Sequence, residues 1–162
     1  MRGDKEILKK QGQRYREKFL ASVAPFPGIR WLFENIKQRG WRIGLATSCQ
    51  PDELSHYDSI VNVCDLADAI ACGQDVKRGK PYPDLHETAL QRLGTPGPQA
   101  VSVGDTPFDA IAASKAGIAR IVGTLTGGFS EATLRATGCG LVLNQTTDFL
   151  DRIGLEKSPQ CE

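Results

Sequence analysis

Four short apolar runs recur along this chain, each separated from the next by a stretch with helical spacing. They are Arg42 to Thr47 (RIGLAT), Ala100 to Val103, Arg120 to Leu125 and Leu141 to Leu143. Runs this short, bounded by turn residues, read as buried strands. Before the first run, Ile29, Leu32, Phe33 and Ile36 repeat at helical spacing, and Gly40 offers a stop. Pro83 opens a helix through Leu85, Ala89, Leu90 and Leu93 that Gly94 ends, and Asp109 to Lys115 is helical, with Pro107 near its start and Gly117 at its end. Asp68 to Cys72 (DAIAC) predicts a further short strand, whereas Ser48 to Asp68 reads as loop and helix with little pattern. Strands alternating with helices predict an α/β fold, a Rossmann-like parallel sheet with helices on both faces.

Composition closes off several alternatives. At 162 residues the chain is one ordinary domain, large enough to bury a core. Twenty basic residues against nineteen acidic ones leave a net charge of +1 with no long basic run, so no nucleic-acid surface is expected. Lys9, Lys10, Arg14, Arg16 and Lys18 cluster on an amphipathic helix predicted from Asp4 to Ser22, which Pro25 and Pro27 end; a solvated face accounts for them. No apolar run approaches the ~20 residues of a membrane span, and the N-terminus lacks a secretory-type apolar core. Five cysteines without a C-x-x-C pair point to reduced thiols and a cytoplasmic setting, and His56 and His86 are too few and too isolated for a zinc site. The closing KSPQCE reads as a frayed tail.

Parallel sheets place ligand chemistry at the carboxyl ends of their strands. At those positions stand Thr47-Ser48, then Lys80 in RGKPYPD, then Gly104-Asp105-Thr106-Pro107-Phe108-Asp109. A phosphoryl group calls for that mixture: hydroxyl and backbone N–H donors for its oxygens, an ammonium to offset transition-state charge, and carboxylates for Mg²⁺. Asp105 is expected at the strand terminus and Asp109 four residues on, in the first helical turn, where negative charge is favoured by about 0.3–1 kcal/mol. Taken singly, each residue has a plainer reading. Asp105 and Thr106 could cap the helix, Lys80 could be a surface lysine before a proline turn, and Thr47 could be a strand-end turn residue. Lys77, Arg78 and His56 read as surface. No G-x-G-x-x-G follows a strand and no G-x-x-x-x-G-K-[ST] occurs, which argues against a dinucleotide or P-loop site.

The ordered segments LATS, GKPYPD and VGDTPFDAIAASKAG resemble motifs two, three and four of the haloacid dehalogenase superfamily, in its phosphoglycolate-phosphatase-like branch. The resemblance implies that Thr47, helped by the Ser48 backbone, and Lys80 bind the phosphoryl group. It also implies that Asp105 ligates Mg²⁺, with Asp109 completing the site directly or through water. Residues 1–24 would be the end of a helical cap, 25–155 the core and 156–162 a flexible tail. The substrate would be a small phosphorylated metabolite, with no nucleic acid and no membrane involved.

The family's nucleophile and general acid/base are two aspartates in a D-x-D-G-T signature ending the first core strand, and that signature does not occur here. Asp4 (RGDKE) follows no apolar strand, and Asp65 and Asp68 (CDLAD) precede the DAIAC strand. The expectation is therefore a phosphatase scaffold lacking its first core strand, incomplete or inactive as this chain. The alternative is a non-catalytic relic or interaction protein. Five buried strand residues at about 1.5–3 kcal/mol each are worth ~8–15 kcal/mol, comparable to a domain's whole net stability. Three compensations stay open: the RIGLAT and AVSVG strands close on each other, a second copy donates a segment by homodimerisation or strand exchange, or stability is marginal.

Overall fold

The structure, a computed structural model, describes residues 23–153. The helix expected from Asp4 to Ser22, the cap remnant up to residue 22, and the C-terminal tail lie outside the described residues. Helix α1 (Ile29–Gln38) starts after Gly28 and is followed by Gly40, both at φ +78°, and it buries Leu32. β1 (Gly44–Ala46) leads to α2 (Pro51–Val61), which has proline at its first position and a Gln50/Glu53 capping box. β2 (Ala69–Ala71) precedes α3 (Asp84–Leu93), whose Gly94 cap takes the left-handed conformation. β3 (Val101–Gly104), α4 (Pro107–Lys115), β4 (Arg120–Thr124), α5 (Glu131–Ala136), β5 (Leu141–Leu143) and α6 (Phe149–Ile153) complete the order. Each expected strand within the described residues is present, and the poorly patterned Ser48–Asp68 segment holds α2.

Among the described residues every strand pairing is parallel. β1 pairs with β2 in the register Gly44↔Ala69, and β4 lies between β3 and β5 with Val101↔Arg120 and Val122↔Leu141. Alternation along β4 serves two layers. Ile121 joins Ala110, Ala113 and Leu134 under α4 and α5, while Val122 joins Leu32, Leu143 and Phe149 under α1 and α6. A third cluster, Ala71 with Leu85 and Ala89, holds α3 on the first sheet.

Among the described residues the strands form two sheets, not one. β1 and β3 do not pair, so the first of the three compensations open to the sequence does not occur. A cavity of about 840 Å³ lies between them, lined by Gly44, Leu45 and Ala46 on one side and by Ala100 to Gly104 on the other. Helix α3 shows that the two edges run the same way. At its C-terminal end, Leu93 lies where a Cβ on Gly44 would meet it at 2.8 Å, and Leu90 and Ala100 pack against one apolar cluster. At its N-terminal end, His86 approaches Ser102, and Lys80, just before the helix, reaches Asp109 beyond β3. Both strands therefore point their carboxyl ends at one rim.

Candidate functional site

Strand β3 delivers Gly104 and Asp105 to that rim, and Thr106 then caps α4. Thr106 Oγ1 accepts from the Asp109 N–H at 3.3 Å, while the Asp109 Oδ2 accepts from the Thr106 N–H at 3.0 Å and from its hydroxyl at 2.6 Å. This reciprocal cap satisfies two helix-start donors and leaves the other carboxylate oxygen to face the loop after β2. From that loop Lys80 Nζ donates to Asp109 Oδ1 at 2.6 Å. The loop is braced outside the site, where Arg78 pairs with Asp84 at 2.8 Å and stacks over Tyr82 at 4.6 Å.

The two acids differ electrically. Burial pushes Asp109 up, but the Lys80 charge and hydrogen bond, with the Thr106 donors, hold it below the usual carboxylate range. Asp105 pairs with no cationic side chain, and its carboxyl is bonded by its own backbone N–H. Burial first, and then the Asp109 charge, raise its carboxyl, with Lys80 opposing from a distance. A half-buried acid whose charge the site disfavours is a group suited to a cation. Among the described residues no cluster of three or more His, Cys, Asp or Glu stands close enough to hold a metal.

Two glycines let the acids sit this close. A Cβ on Gly104 would stand 2.4 Å from the Asp109 Cβ, and one on Gly127 would stand 2.3 Å from the Asp105 carbonyl oxygen and 2.9 Å from its carboxylate. Gly127 was not singled out from the sequence, although it follows β4 and the strand-end rule covers it. The same holds for Thr124 and Thr126, hydrogen-bonded at 2.8 Å and lining the cavity. His86, set aside from the sequence as too isolated for a zinc site, lines the same cavity. It is 7% exposed, with Nε2 3.4 Å from Ser102 Oγ and Nδ1 without a partner. Burial, and then the nearby Lys80 charge, lower it to about 4, so it is neutral at pH 7.

The structure thus brings Lys80, Asp105 and Asp109 together. Thr47 and Ser48 follow β1, whose residues line the cavity opposite β3. Thr47 donates its N–H to the Ala71 carbonyl at 2.9 Å and accepts the Cys49 N–H on Oγ1 at 3.2 Å, which leaves its hydroxyl proton available to donate. No hydrogen bond or ion pair joins Thr47 or Ser48 to the other three residues. Among the described residues no helix is long and apolar enough to cross a membrane.

A family model described as "Haloacid dehalogenase-like hydrolase" matches residues 2–122. Pyrophosphatase PpaX of Bacillus velezensis is 27% identical over 142 residues, covering 86% of this chain and 64% of that protein. Protein CbbY of Cereibacter sphaeroides is 32% identical over 117 residues, covering 65% of this chain and 50% of that protein. The chain thus spans about half to two thirds of the length of these curated relatives. Among solved structures, a hydrolase from Pseudomonas syringae superposes with a TM-score of 0.84 at 26% identity, covering 94% of this chain and 73% of that one. A mutant of CbbY from Rhodobacter sphaeroides, in complex with xylulose-(1,5)bisphosphate, superposes with a TM-score of 0.73 at 26% identity, covering 93% and 68%.

Proposed function

This chain belongs to the haloacid dehalogenase-like hydrolase family, and from that premise we propose that its strand-end rim grips the phosphoryl group of a small phosphorylated metabolite with the help of Mg²⁺. The observation that carries the reading is Asp105, which lines the cavity with its carboxyl raised by burial and by Asp109, near the ion-paired Lys80. Mg²⁺ keeps several waters and needs only one or two carboxylates, so the pair is a sufficient donor set without a third acid. Asp105 would be the direct ligand. Asp109, with both oxygens already hydrogen-bonded to Lys80 and Thr106, would contribute a spare lone pair or act through water. Bound there, Mg²⁺ would offset charge on the phosphoryl oxygens.

The chain's own groups then bind and orient. The Thr47 hydroxyl and the Ser48 N–H donate to phosphoryl oxygens, and Lys80, already desolvated beside Asp109, opposes charge that grows in the transition state. What the described residues do not offer is an attacking carboxylate. Asp105 is the one acid among them that lines the cavity, and its role on this reading is to hold the cation. Without a nucleophile no aspartyl-phosphate forms, so this chain by itself is a binding scaffold with slow turnover at best. The split sheet also favours a second reading, a non-catalytic interaction protein that keeps the scaffold.

Titration calorimetry with inorganic phosphate, with and without Mg²⁺, tests the proposal. Binding that requires Mg²⁺ and weakens at least tenfold in Asp105→Asn supports it. No binding under either condition leaves the interaction-protein reading. Hydrolysis of a generic phosphomonoester at an ordinary enzymatic rate, ~1–10³ per second, would show that the account of the attacking group is wrong.

A further inference from the structure

Strand β4 ends on a buried threonine. The register Gly104↔Gly123 sets Thr124 beside Asp105, each the next residue as its strand reaches the rim. Thr124 points to the same layer as Val122, two residues earlier, which packs with Leu32, Leu143 and Phe149. It is 2% exposed, so its hydroxyl has no solvent to turn to. Among the described residues its side-chain partner is Thr126 Oγ1 at 2.8 Å. Thr126 belongs to a single helical turn, Leu125–Gly127, that ends against Asp105. An added Cβ on Gly127 would stand 2.9 Å from the Asp105 Oδ2. Thr126 itself is half-buried and lines the cavity together with Asp105 and Lys80.

Two hydroxyls that share one hydrogen bond have one proton left over, and burial decides which. If Thr126 donated, the Thr124 proton would be stranded among apolar side chains, and a buried donor without an acceptor costs its full desolvation. If Thr124 donates, the leftover proton belongs to Thr126, which borders the cavity. The second arrangement is favoured. Accepting from Thr124 also polarises the Thr126 hydroxyl and strengthens its own donation. Asp105 does not take that proton here, since among the described residues no hydrogen bond joins it to Thr126. A cation on Asp105 would not take it either, because the waters Mg²⁺ keeps present protons outward. An anionic oxygen would.

We propose that Thr126 is a further anion-binding residue of this rim: its hydroxyl, oriented by Thr124, donates to a phosphoryl oxygen on the Asp105 side. Both threonines lie outside the three segments that carry the family resemblance, and beyond residues 2–122. The assignment rests on the phosphoryl reading and extends it, adding a donor from β4 to those of Thr47, Ser48 and Lys80. Thr124 touches no ligand and acts through Thr126, as a positioning residue.

Titration calorimetry of the full chain with inorganic phosphate, at saturating Mg²⁺, compares the unaltered chain with Thr126→Val and Thr126→Ser. Valine keeps the shape without the hydroxyl, whereas serine keeps the hydroxyl. Phosphate affinity should fall at least tenfold in Thr126→Val, as for one lost hydrogen bond to a charged group, and serine should restore most of it. Thr124→Val should also weaken phosphate binding, because the Thr126 hydroxyl then turns freely. Binding of Mn²⁺ without phosphate, read by paramagnetic resonance, should be unchanged in all three variants. Undiminished phosphate affinity in Thr126→Val overturns the proposal and leaves the phosphoryl reading standing. An equal loss in Thr126→Ser also overturns it, as does a matching fall in Mn²⁺ affinity, which would place Thr126 with the cation. No phosphate binding by the unaltered chain overturns the proposal and the reading together. Should Thr126→Val not fold, Thr126→Ala makes the same comparison.

Discussion

A methyl group added at Gly104 probes the contact that places Asp109. The new Cβ would stand 2.4 Å from the Asp109 Cβ and 2.8 Å from its Cγ, where ordinary contact begins at 3.4 Å, so about 1 Å of separation must be found. Strand β3 cannot retreat freely, because it is held in register with β4 through Gly104↔Gly123. Asp109 cannot retreat either without stretching its bonds of 2.6 Å to Lys80 and of 2.6 and 3.0 Å to Thr106. Overpacking costs about 1–3 kcal/mol, and one lost hydrogen bond to a charged group about 1.5–3 kcal/mol. Partial relaxation of both places Gly104→Ala at a loss of roughly 2–4 kcal/mol. For a chain of this size that is about 4–16 °C in Tm, at ~2–4 °C per kcal/mol. Gly79→Ala is the control, since nothing lies within 4 Å of that added Cβ and its backbone needs no positive φ. It should be neutral or stabilise by up to about 1 kcal/mol. Urea denaturation monitored by circular dichroism reads both. Equal stability of the two variants would refute the argument that Gly104 sets the position of Asp109.

Three further outcomes follow from the site. Asp105→Asn should raise Tm at pH 7 in buffer without divalent cations, because a carboxyl raised in the folded state contributes stability that is lost as pH rises through its folded value; a lower Tm would contradict the charge frustration. Stability should fall by roughly 3 kcal/mol between pH 6.5 and pH 4, since His86 is lowered to about 4 and each pKa unit is worth about 1.4 kcal/mol. Below its unfolded value the unfolded state takes up the proton first, and His86→Gln should flatten that part of the urea-measured profile. Asp109→Asn should cost about 2–4 kcal/mol, somewhat under the 3–5 typical of a broken buried pair, because the Lys80 side chain is 19% exposed and that of Asp109 12%. In a double-mutant cycle with Lys80→Met, a coupling below about 0.5 kcal/mol would mean that the 2.6 Å contact is energetically idle.

What could be read from the chain was what depends on near neighbours. Helix stops at Gly40, Gly94 and Gly117 were legible because a left-handed turn after a periodic segment favours glycine, and each has positive φ. The strands were legible as short apolar runs, and the strand-end rule then pointed to Thr47, Lys80, Asp105 and Asp109. The plainer reading of GDTPFD as a helix cap was right in part. Thr106 and Asp109 do form a capping box, and the same Asp109 also meets Lys80. One residue serves both purposes because its two oxygens face different partners.

Spacing and residue type determined the α/β class, the order of elements and which chemical groups stand at strand ends, since these follow from periodicity and from turn chemistry within a few residues. Tertiary structure alone decided that β1 and β3 stand apart and that Lys80 reaches across 29 residues to Asp109. It also decided that Gly104 and Gly127 leave room for the acids. Those outcomes depend on how far apart packed layers come to rest, and no local pattern in a sequence encodes that distance.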